Sequence, residues 1–211
     1  MTEEIELWSN ARFTSPWVLT VWVTLKEKGI PFAVRTVDLK RGDHRAGSYP
    51  RDTITAKVPA LRHGDFWLAE SLAIVDYLES VFPPPRHPSV LPADRRRRAR
   101  DFQIMSWIRS DLFELRECMP FEGLFYDLPP PTVTPKAFEQ AAKLLAVSSA
   151  VLAERTPTSP TAADFDLTFM LRRLVRYRHD LSRHAELVGY CNEVWARPSV
   201  QSYVAVERPP A

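Results

Sequence analysis

Two adjacent hydroxyl residues at the start of an apolar stretch are the most chemically suggestive feature of the sequence. Thr14 and Ser15 precede Pro16, and apolar residues then recur at helical spacing. A serine followed by proline is typical of a helix start, with the serine as N-cap. A thiol held beside this helix terminus would ionise more easily, because the helix dipole favours the negative thiolate. Ser15 is therefore either an ordinary cap or a cap with a chemical role.

The elements around this loop predict a small α/β domain. Strand patterns cover residues 4–8 and 31–39, and an apolar helix pattern lies between them over residues 16–29. This βαβ unit predicts parallel strands. Residues 40–56 indicate a loop with a short helix. A hairpin over residues 57–68 then leads to a second helix, and the order β-α-β-β-β-α is the thioredoxin-like arrangement.

Two pairs of residues lie where the hairpin and the second helix of this α/β domain begin. Val58 and Pro59 precede the first hairpin strand, where a proline predicts an edge strand or a cis turn. Glu70 and Ser71 open the helix that runs over residues 72–82. Each pair also has a purely structural interpretation, as a turn proline and as a capping serine beside a solvated acid.

A run of prolines separates this domain from an all-helical remainder. The predicted domains are 1–82, a proline-rich linker over 83–93, and 94–211. One long helix is predicted over Asp94–Glu117 and another over residues 136–154. Thr161 and Asp164 form a capping-box pattern at the start of a further helix. The fold class is thus a thioredoxin-like α/β domain followed by an all-α domain.

Composition narrows the function classes. The chain has 211 residues, 45% of them hydrophobic and 26% charged, and a net charge of +2, which indicates a globular protein without a general affinity for nucleic acid. The arginine run over residues 95–98 predicts a solvated face.

No apolar run is long enough to span a membrane and the first residues do not resemble a targeting signal, so we expect a cytoplasmic protein. Cys118 and Cys191 indicate inert thiols, and no histidine spacing suggests a metal site.

These features together resemble the cytosolic glutathione transferases. The segment Phe13-Thr14-Ser15-Pro16-Trp17 is similar to the serine-type N-terminal motif of that family, and Val58-Pro59 to its cis-proline. Glu70-Ser71-Leu72-Ala73-Ile74 resembles its Glu-Ser-x-Ala-Ile motif, and the Thr161–Asp164 box resembles that of its helical domain. The resemblance covers nearly the whole chain and, within the family, is greatest to the bacterial YfcF-type transferases.

The resemblance implies a role for each motif. Ser15, or alternatively Thr14, would donate a hydrogen bond to the glutathione thiolate. Val58 and Pro59 would hold the cysteinyl part of glutathione, and Glu70 and Ser71 its γ-glutamyl part. The remaining implied contacts are Lys57 and Arg51 with the glycyl carboxylate, and an electrophile pocket lined by Phe13, Trp17, Trp107, Asp111 and Phe113.

The resemblance also implies the activity and the partners. We expect a homodimeric transferase that uses glutathione as co-substrate and no metal. The thiolate would attack a small electrophile or reduce a peroxide, as in detoxification. A glutathione-dependent β-etherase and a non-catalytic binding or regulatory protein are the alternatives. A maleylacetoacetate isomerase is disfavoured because the Ser-Ser-Cys motif of that class is missing.

Overall fold

The computed structural model describes residues 4–129, 132–155 and 159–210. Contacts within the chain divide it into two units. The first unit runs to Val90 and also includes the residues from Ser202 onward, whereas the second unit runs from Leu91 to Gln201. Pro130 and Pro131 lie outside the described residues.

A four-stranded mixed sheet forms the centre of the first unit. Its strands lie in the order β2-β1-β3-β4. β1 is parallel to β2, and β3 is antiparallel to both β1 and β4. The strands are β1 (Ile5–Asn10), β2 (Ala33–Val37), β3 (Ala60–His63) and β4 (Phe66–Ala69). The sheet and its helices confirm the predicted thioredoxin-like fold class.

Three helices complete the first unit: α1 (Pro16–Glu27), α2 (Tyr49–Thr53) and α3 (Ser71–Val81). Every residue of α1 from Val18 to Leu25 is buried, so this helix is covered on more than one side, as its nearly unbroken apolar sequence predicts. The prediction of a short helix between residues 40 and 56 is also confirmed by α2.

The second unit is helical in its described part. Its elements are α4 (Arg95–Ser110), α5 (Phe113–Cys118), α6 (Pro135–Leu152), α7 (Ala162–Arg176) and α8 (Ala185–Trp195), and the last helix of the chain, α9 (Pro198–Val204), begins in this unit. Asp94 and Thr134 cap α4 and α6 through their side chains. No helix in the described ranges has the length and apolar character needed to cross a membrane.

The prediction of one helix over Asp94–Glu117 is wrong, because the helix is interrupted between α4 and α5. The Gln140 side chain of α6 explains the break: its amide nitrogen donates to the Asp111 carbonyl at 3.2 Å, and its oxygen accepts from the Leu115 amide at 2.9 Å. These bonds satisfy backbone groups that a continuous helix would pair internally. Apolar periodicity does not reveal this break, because its partner lies on another helix.

The predicted capping box at α7 is confirmed and belongs to a larger charged cluster. The Thr161 amide donates to the Asp164 carboxylate at 2.7 Å. Arg155 donates to Asp164 at 2.7 Å and also contacts Asp101, a fully buried carboxylate of α4. Burial raises the pKa of Asp164 despite the nearby guanidinium. The box therefore joins the start of α7 to α4 through a shared arginine.

The two cysteines are unbonded, as the sequence predicts. Cys191 is buried in α8, and burial raises its pKa to about 12. Cys118 is half-buried at the end of α5. A thiol with a raised pKa carries little thiolate at neutral pH, so Cys191 is poorly suited to nucleophilic chemistry.

A buried ion pair between Lys28 and Glu79 lies at the end of α3. Lys28, just after α1, donates from Nζ to Glu79 Oε2 at 2.8 Å and to the Pro88 carbonyl at 3.0 Å. Glu79 also accepts from the Val90 amide at 3.2 Å and contacts the Ser89 hydroxyl. Both charged side chains are almost fully buried. The pair therefore fixes α1, α3 and the proline-rich segment to one another.

We expect Lys28→Met to lower the free energy of unfolding by about 3–5 kcal/mol, because it leaves the Glu79 carboxylate buried without its cation. Adding Glu79→Gln should recover part of this loss, since the amide is neutral and still accepts from Val90. Urea denaturation of both variants measures the difference, with the exposed Glu193→Gln as control. A double variant no more stable than Lys28→Met would contradict this account.

Candidate functional site

The strand register brings the three candidate segments to one end of the sheet. Trp8 lies opposite Ala60, and Ala60 lies opposite Ala69. Because β3 is antiparallel to its neighbours, it begins at the end where β1 and β4 finish; we call this the upper end. The loop after Asn10, the turn at Val58-Pro59 and the Glu70-Ser71 helix start must all emerge there. The sheet thus gathers residues that are more than 50 positions apart in the chain.

The loop between β1 and α1 is organised by the buried side chain of Asn10. Its Nδ2 donates to Thr14 Oγ1 at 2.9 Å, and its Oδ1 accepts from the Thr14 amide at 3.3 Å. The Asn10 carbonyl also accepts from the Phe13 amide at 3.0 Å. Phe13 has a φ of 49°, in the left-handed region that bulky residues seldom adopt. The loop is therefore strained and held in shape by hydrogen bonds.

Both candidate hydroxyls are used as acceptors by the chain itself. Ser15 Oγ accepts from the Val18 amide at 3.3 Å, which confirms the predicted N-cap. Thr14 Oγ1 accepts from Asn10. A hydroxyl has one proton to donate in addition to its lone pairs. Each hydroxyl can therefore still donate one hydrogen bond, and the Ser15 hydroxyl lies at the positive end of a 12-residue helix.

The second segment turns through a cis peptide bond between Val58 and Pro59, as the sequence predicts. β3 begins directly after this turn and lies inside the sheet, so the alternative of an edge strand is wrong. The Tyr49 hydroxyl donates to the Lys57 carbonyl at 2.9 Å. Burial raises the pKa of Tyr49 to about 12, so it remains a donor at neutral pH. Tyr49 thereby connects α2 to the turn.

The third segment differs from an ordinary serine cap. Glu70 occupies the N-cap position of α3 with a φ of 69° and makes no capping bond with its side chain. Ser71 is the first helical residue and is buried, while Glu70 is exposed. The first amides of a helix have no acceptor within the helix, which makes this terminus suitable for a carboxylate.

Arg51 and Lys57 are exposed side chains of the same unit. Arg51 lies on α2 and donates to the neighbouring Asp52 at 3.0 Å with a side chain that is 79% exposed. Such an exposed pair contributes little to stability. Arg51 therefore loses little if it turns to another carboxylate.

The five residues predicted to line an electrophile pocket fall in both units. Phe13 and Trp17 are half-buried residues of the first unit. Trp107, Asp111 and Phe113 belong to the second, where Trp107 Nε1 donates to Asp111 Oδ2 at 2.7 Å. Asp111 also contacts Lys143, and these hydrogen bonds lower its pKa. Phe113 is 57% exposed, an unusual position for a large apolar side chain.

Three residues beside the first hydroxyl loop have no role in the sequence-based prediction. Asn10 holds Thr14, and Tyr203 and Arg208 hydrogen-bond the carbonyls of Ser15 and Phe13. A polar residue at the end of a buried strand is the one signal that could have identified Asn10. Tyr203 and Arg208 lie almost 200 positions away from their partners, and no local pattern marks them.

Within the part of the chain that the structure describes, no three His, Cys, Asp or Glu side chains are grouped so that they could hold a metal ion.

Family models match both halves of the chain. The model of the glutathione S-transferase N-terminal domain matches residues 14–81, and that of the glutathione S-transferase C-terminal domain matches residues 94–208. A solved structure of a glutathione transferase homolog from Burkholderia gl BGR1, with bound glutathione, is 34% identical and has a TM-score of 0.77. The alignment covers 96% of each chain.

Curated relatives match over shorter stretches. Glutathione S-transferase theta-3 of Mus musculus is 39% identical over 98 residues, which cover 46% of this chain and 39% of the relative. Human glutathione S-transferase theta-2 is 38% identical over 87 residues, which cover 41% of this chain and 35% of the relative. The matched stretches thus span well under half the length of these two relatives.

The strain at Glu70 leads to a stability prediction. Glycine adopts positive φ without a steric penalty, whereas alanine does not. We therefore expect Glu70→Gly to be more stable than Glu70→Ala by about 1 kcal/mol, although glycine normally destabilises a chain. Thermal unfolding of the two variants measures the difference, and neither retains the carboxylate. A more stable alanine variant would show that the position is not strained.

Proposed function

Because the chain belongs to the glutathione S-transferase family, we propose that it binds glutathione at the upper end of the sheet and activates its thiol. The observation that carries this proposal is the register Trp8–Ala60–Ala69. It directs a hydroxyl loop, a cis-proline turn and a helix N-terminus to the same place. Glutathione, a tripeptide with a central thiol and two carboxylates, has groups that complement each of these segments.

The binding contacts follow from the chemistry of each segment. The backbone of Val58, turned by Pro59, hydrogen-bonds the cysteinyl unit of glutathione. The first amides of α3 and the Ser71 hydroxyl hold the γ-glutamyl carboxylate, and Glu70 pairs with its ammonium group. Lys57 and Arg51 are the cations of this unit that we assign to the glycyl carboxylate. The solved Burkholderia relative, which contains glutathione, supports this choice of ligand.

Activation depends on stabilising the thiolate, because a serine hydroxyl is too weak a base to remove the thiol proton itself. Ser15 instead donates a hydrogen bond to the sulfur anion, and the dipole of α1 adds to this effect. We favour Ser15 over Thr14 because Ser15 is the N-cap of the helix. Thr14 is the neighbouring alternative, with its hydroxyl held by Asn10.

The bound thiolate then attacks the second substrate. With an electrophilic carbon, a carbon–sulfur bond forms while the leaving group departs with its electron pair. With a peroxide, the sulfur bonds to one oxygen while the O–O bond breaks, and the other oxygen leaves as an alcohol or water after protonation. The thiol of a second glutathione then attacks the sulfenic sulfur, which forms a disulfide and releases the hydroxyl group as water. Of the residues predicted for the electrophile pocket, Phe13 and Trp17 belong to the same unit as Ser15, and we propose that they contact this substrate.

We further propose a cytoplasmic homodimer with domain boundaries at residues 1–82, 83–93 and 94–211. Exposed large apolar side chains support self-association: Ile54 is 87% exposed and Phe66 is 45% exposed. Both belong to the first unit. Burying such side chains against a second copy removes apolar surface from water.

Retention on immobilised glutathione, combined with assays on a panel of electrophiles and peroxides, tests the proposed function. We expect specific retention, elution by free glutathione, and turnover of at least one substrate class. Retention without turnover would favour the non-catalytic binding protein. Absence of retention and of calorimetric binding would refute glutathione as the ligand.

We expect Ser15→Ala to lower kcat by about 10²-fold, comparable to removing one preorganised donor from a developing anion, with a smaller effect on glutathione affinity. Thr14→Val tests the neighbouring hydroxyl. Because Ser15→Ala also removes a helix cap worth about 1 kcal/mol, Thr134→Ala at the start of α6 is the matched control for cap loss. Unchanged turnover in Ser15→Ala would remove Ser15 from the mechanism.

We expect Ser71→Ala to weaken glutathione binding by about 10- to 100-fold, since a hydrogen bond to a charged group contributes about 1.5–3 kcal/mol, while kcat at saturation changes little. Calorimetry measures the dissociation constant. Ser80→Ala is the matched control, because Ser80 is an exposed serine on the same helix whose hydroxyl donates to the Asp76 carbonyl at 2.9 Å. A normal dissociation constant in Ser71→Ala would refute the assignment.

A further inference from the structure

The segment Ser202–Pro210, which we call the return segment, contacts the hydroxyl loop although it lies at the other end of the chain. It belongs to the first unit together with that loop. Arg208 Nε donates to the Phe13 carbonyl at 3.3 Å, and the Tyr203 hydroxyl donates to the Ser15 carbonyl at 3.4 Å. The two contacts lie on either side of Thr14. The return segment therefore holds the backbone that carries both candidate hydroxyls.

Arg208 gathers carbonyl groups from two separate parts of the chain. Besides Phe13, its guanidinium donates to the carbonyls of Tyr203 at 2.9 Å, Val204 at 2.9 Å and Val206 at 2.7 Å. It also lies over the Tyr203 ring, 5.4 Å from the centroid. A planar guanidinium with five donors can join these groups in a fixed geometry, which a lysine ammonium cannot reproduce.

Tyr203 anchors the return segment beneath the loop. Its side chain is fully buried, and its ring meets Phe13 at 6.1 Å and Trp22 at 5.4 Å between centroids, both edge to face. Trp22 Nε1 also donates to Ser202 Oγ at 2.9 Å. Trp22, which contacts both Ser202 and Tyr203, lies on α1, so the return segment is attached to a buried helix close to Arg208.

The loop requires such support because Phe13 is held at a positive φ. A residue in a sparsely populated backbone conformation stays there only when surrounding contacts hold it. Asn10 provides one contact, through its carbonyl and the Phe13 amide, and Arg208 provides another on the Phe13 carbonyl. If the second is lost, rotation at Phe13 is less restrained, and Thr14 and Ser15 follow directly in the chain.

We propose that Arg208 is a positioning residue for thiol activation, which acts by fixing the Phe13 carbonyl so that the following hydroxyls point to the glutathione sulfur. This inference rests on the proposed function. It distinguishes Arg208 from the binding residues, because the cis-proline turn and the start of α3 make no part of this contact. Loss of the contact should impair ionisation of the thiol and leave glutathione bound.

Arg208→Gln tests this inference through the pKa of the bound thiol, obtained from the pH dependence of the ultraviolet absorbance of the thiolate. We expect that pKa to rise by about one pH unit, which is about a tenfold loss of thiolate below the pKa. The dissociation constant for glutathione, measured by calorimetry at a pH where the thiol is protonated, should change less than threefold, because none of the proposed glutathione contacts involves Arg208. Hydrogen exchange of residues 10–18 should accelerate. Tyr203→Phe, which removes only the hydroxyl, should shift the pKa in the same direction.

Two control variants separate geometry from charge. Arg208→Lys keeps the positive charge and should resemble Arg208→Gln; behaviour like the wild type would overturn the positioning role. Arg86→Gln makes the same chemical change at an exposed position and should leave the thiol pKa and the hydrogen exchange unaltered.

The remaining outcomes are also decisive. A normal thiol pKa or unchanged hydrogen exchange in Arg208→Gln, beside a wild type that ionises glutathione, would overturn the inference and leave the proposed function standing. A wild type that binds no glutathione, or does not ionise its thiol, would overturn both.

Discussion

The antiparallel pairing of β3 with β1 and β4 is the constraint on which the rest of the first unit depends. With Trp8 opposite Ala60 and Ala60 opposite Ala69, three connecting segments emerge at one end of the sheet. A slip of one residue would exchange the faces of every side chain on the slipped strand. The same pairing that buries Leu7 and Leu61 in the core therefore determines which residues can meet at the site.

Non-glycine residues with positive φ occur at or beside all three segments, since Ile54 and Ala56 lie shortly before the Val58-Pro59 turn. Phe13 precedes the N-cap of α1 by two residues, and Glu70 is the N-cap of α3; both have positive φ. Each position costs of order 1–3 kcal/mol and persists only because the surrounding structure holds the residue there. Phe13 and Glu70 each lie at the start of a helix, and their backbone conformations set the direction in which that helix begins. The contacts that hold these two conformations therefore also orient two positive helix termini.

What could be predicted from the sequence depended on how far a signal reaches along the chain. The Ser15 cap, the Val58-Pro59 turn and the Thr161–Asp164 box are local patterns, and all three are present. The Gln140 bonds that end α4 come from another helix, so periodicity alone missed the break.

The same limit applies to the candidate site. The motifs marked which segments matter, but the sequence suggested Ser71 as a possible cap, whereas the backbone places Glu70 there. The bond from Asn10 to Thr14 and the contacts of the return segment depend on side-chain geometry that no pattern encodes.

The return segment also has a consequence for how the protein is made. Synthesis is vectorial, and domains generally fold as their residues leave the ribosome. The sheet and its first three helices are complete by Val90, yet this unit also contains residues from Ser202 onward. The nascent first unit must therefore wait, with the pocket for Tyr203 unfilled, while more than 100 residues of the second unit are translated. The hydroxyl loop gains its last restraint only after the second unit has been translated, so the loop reaches its final form later than the sheet that carries it.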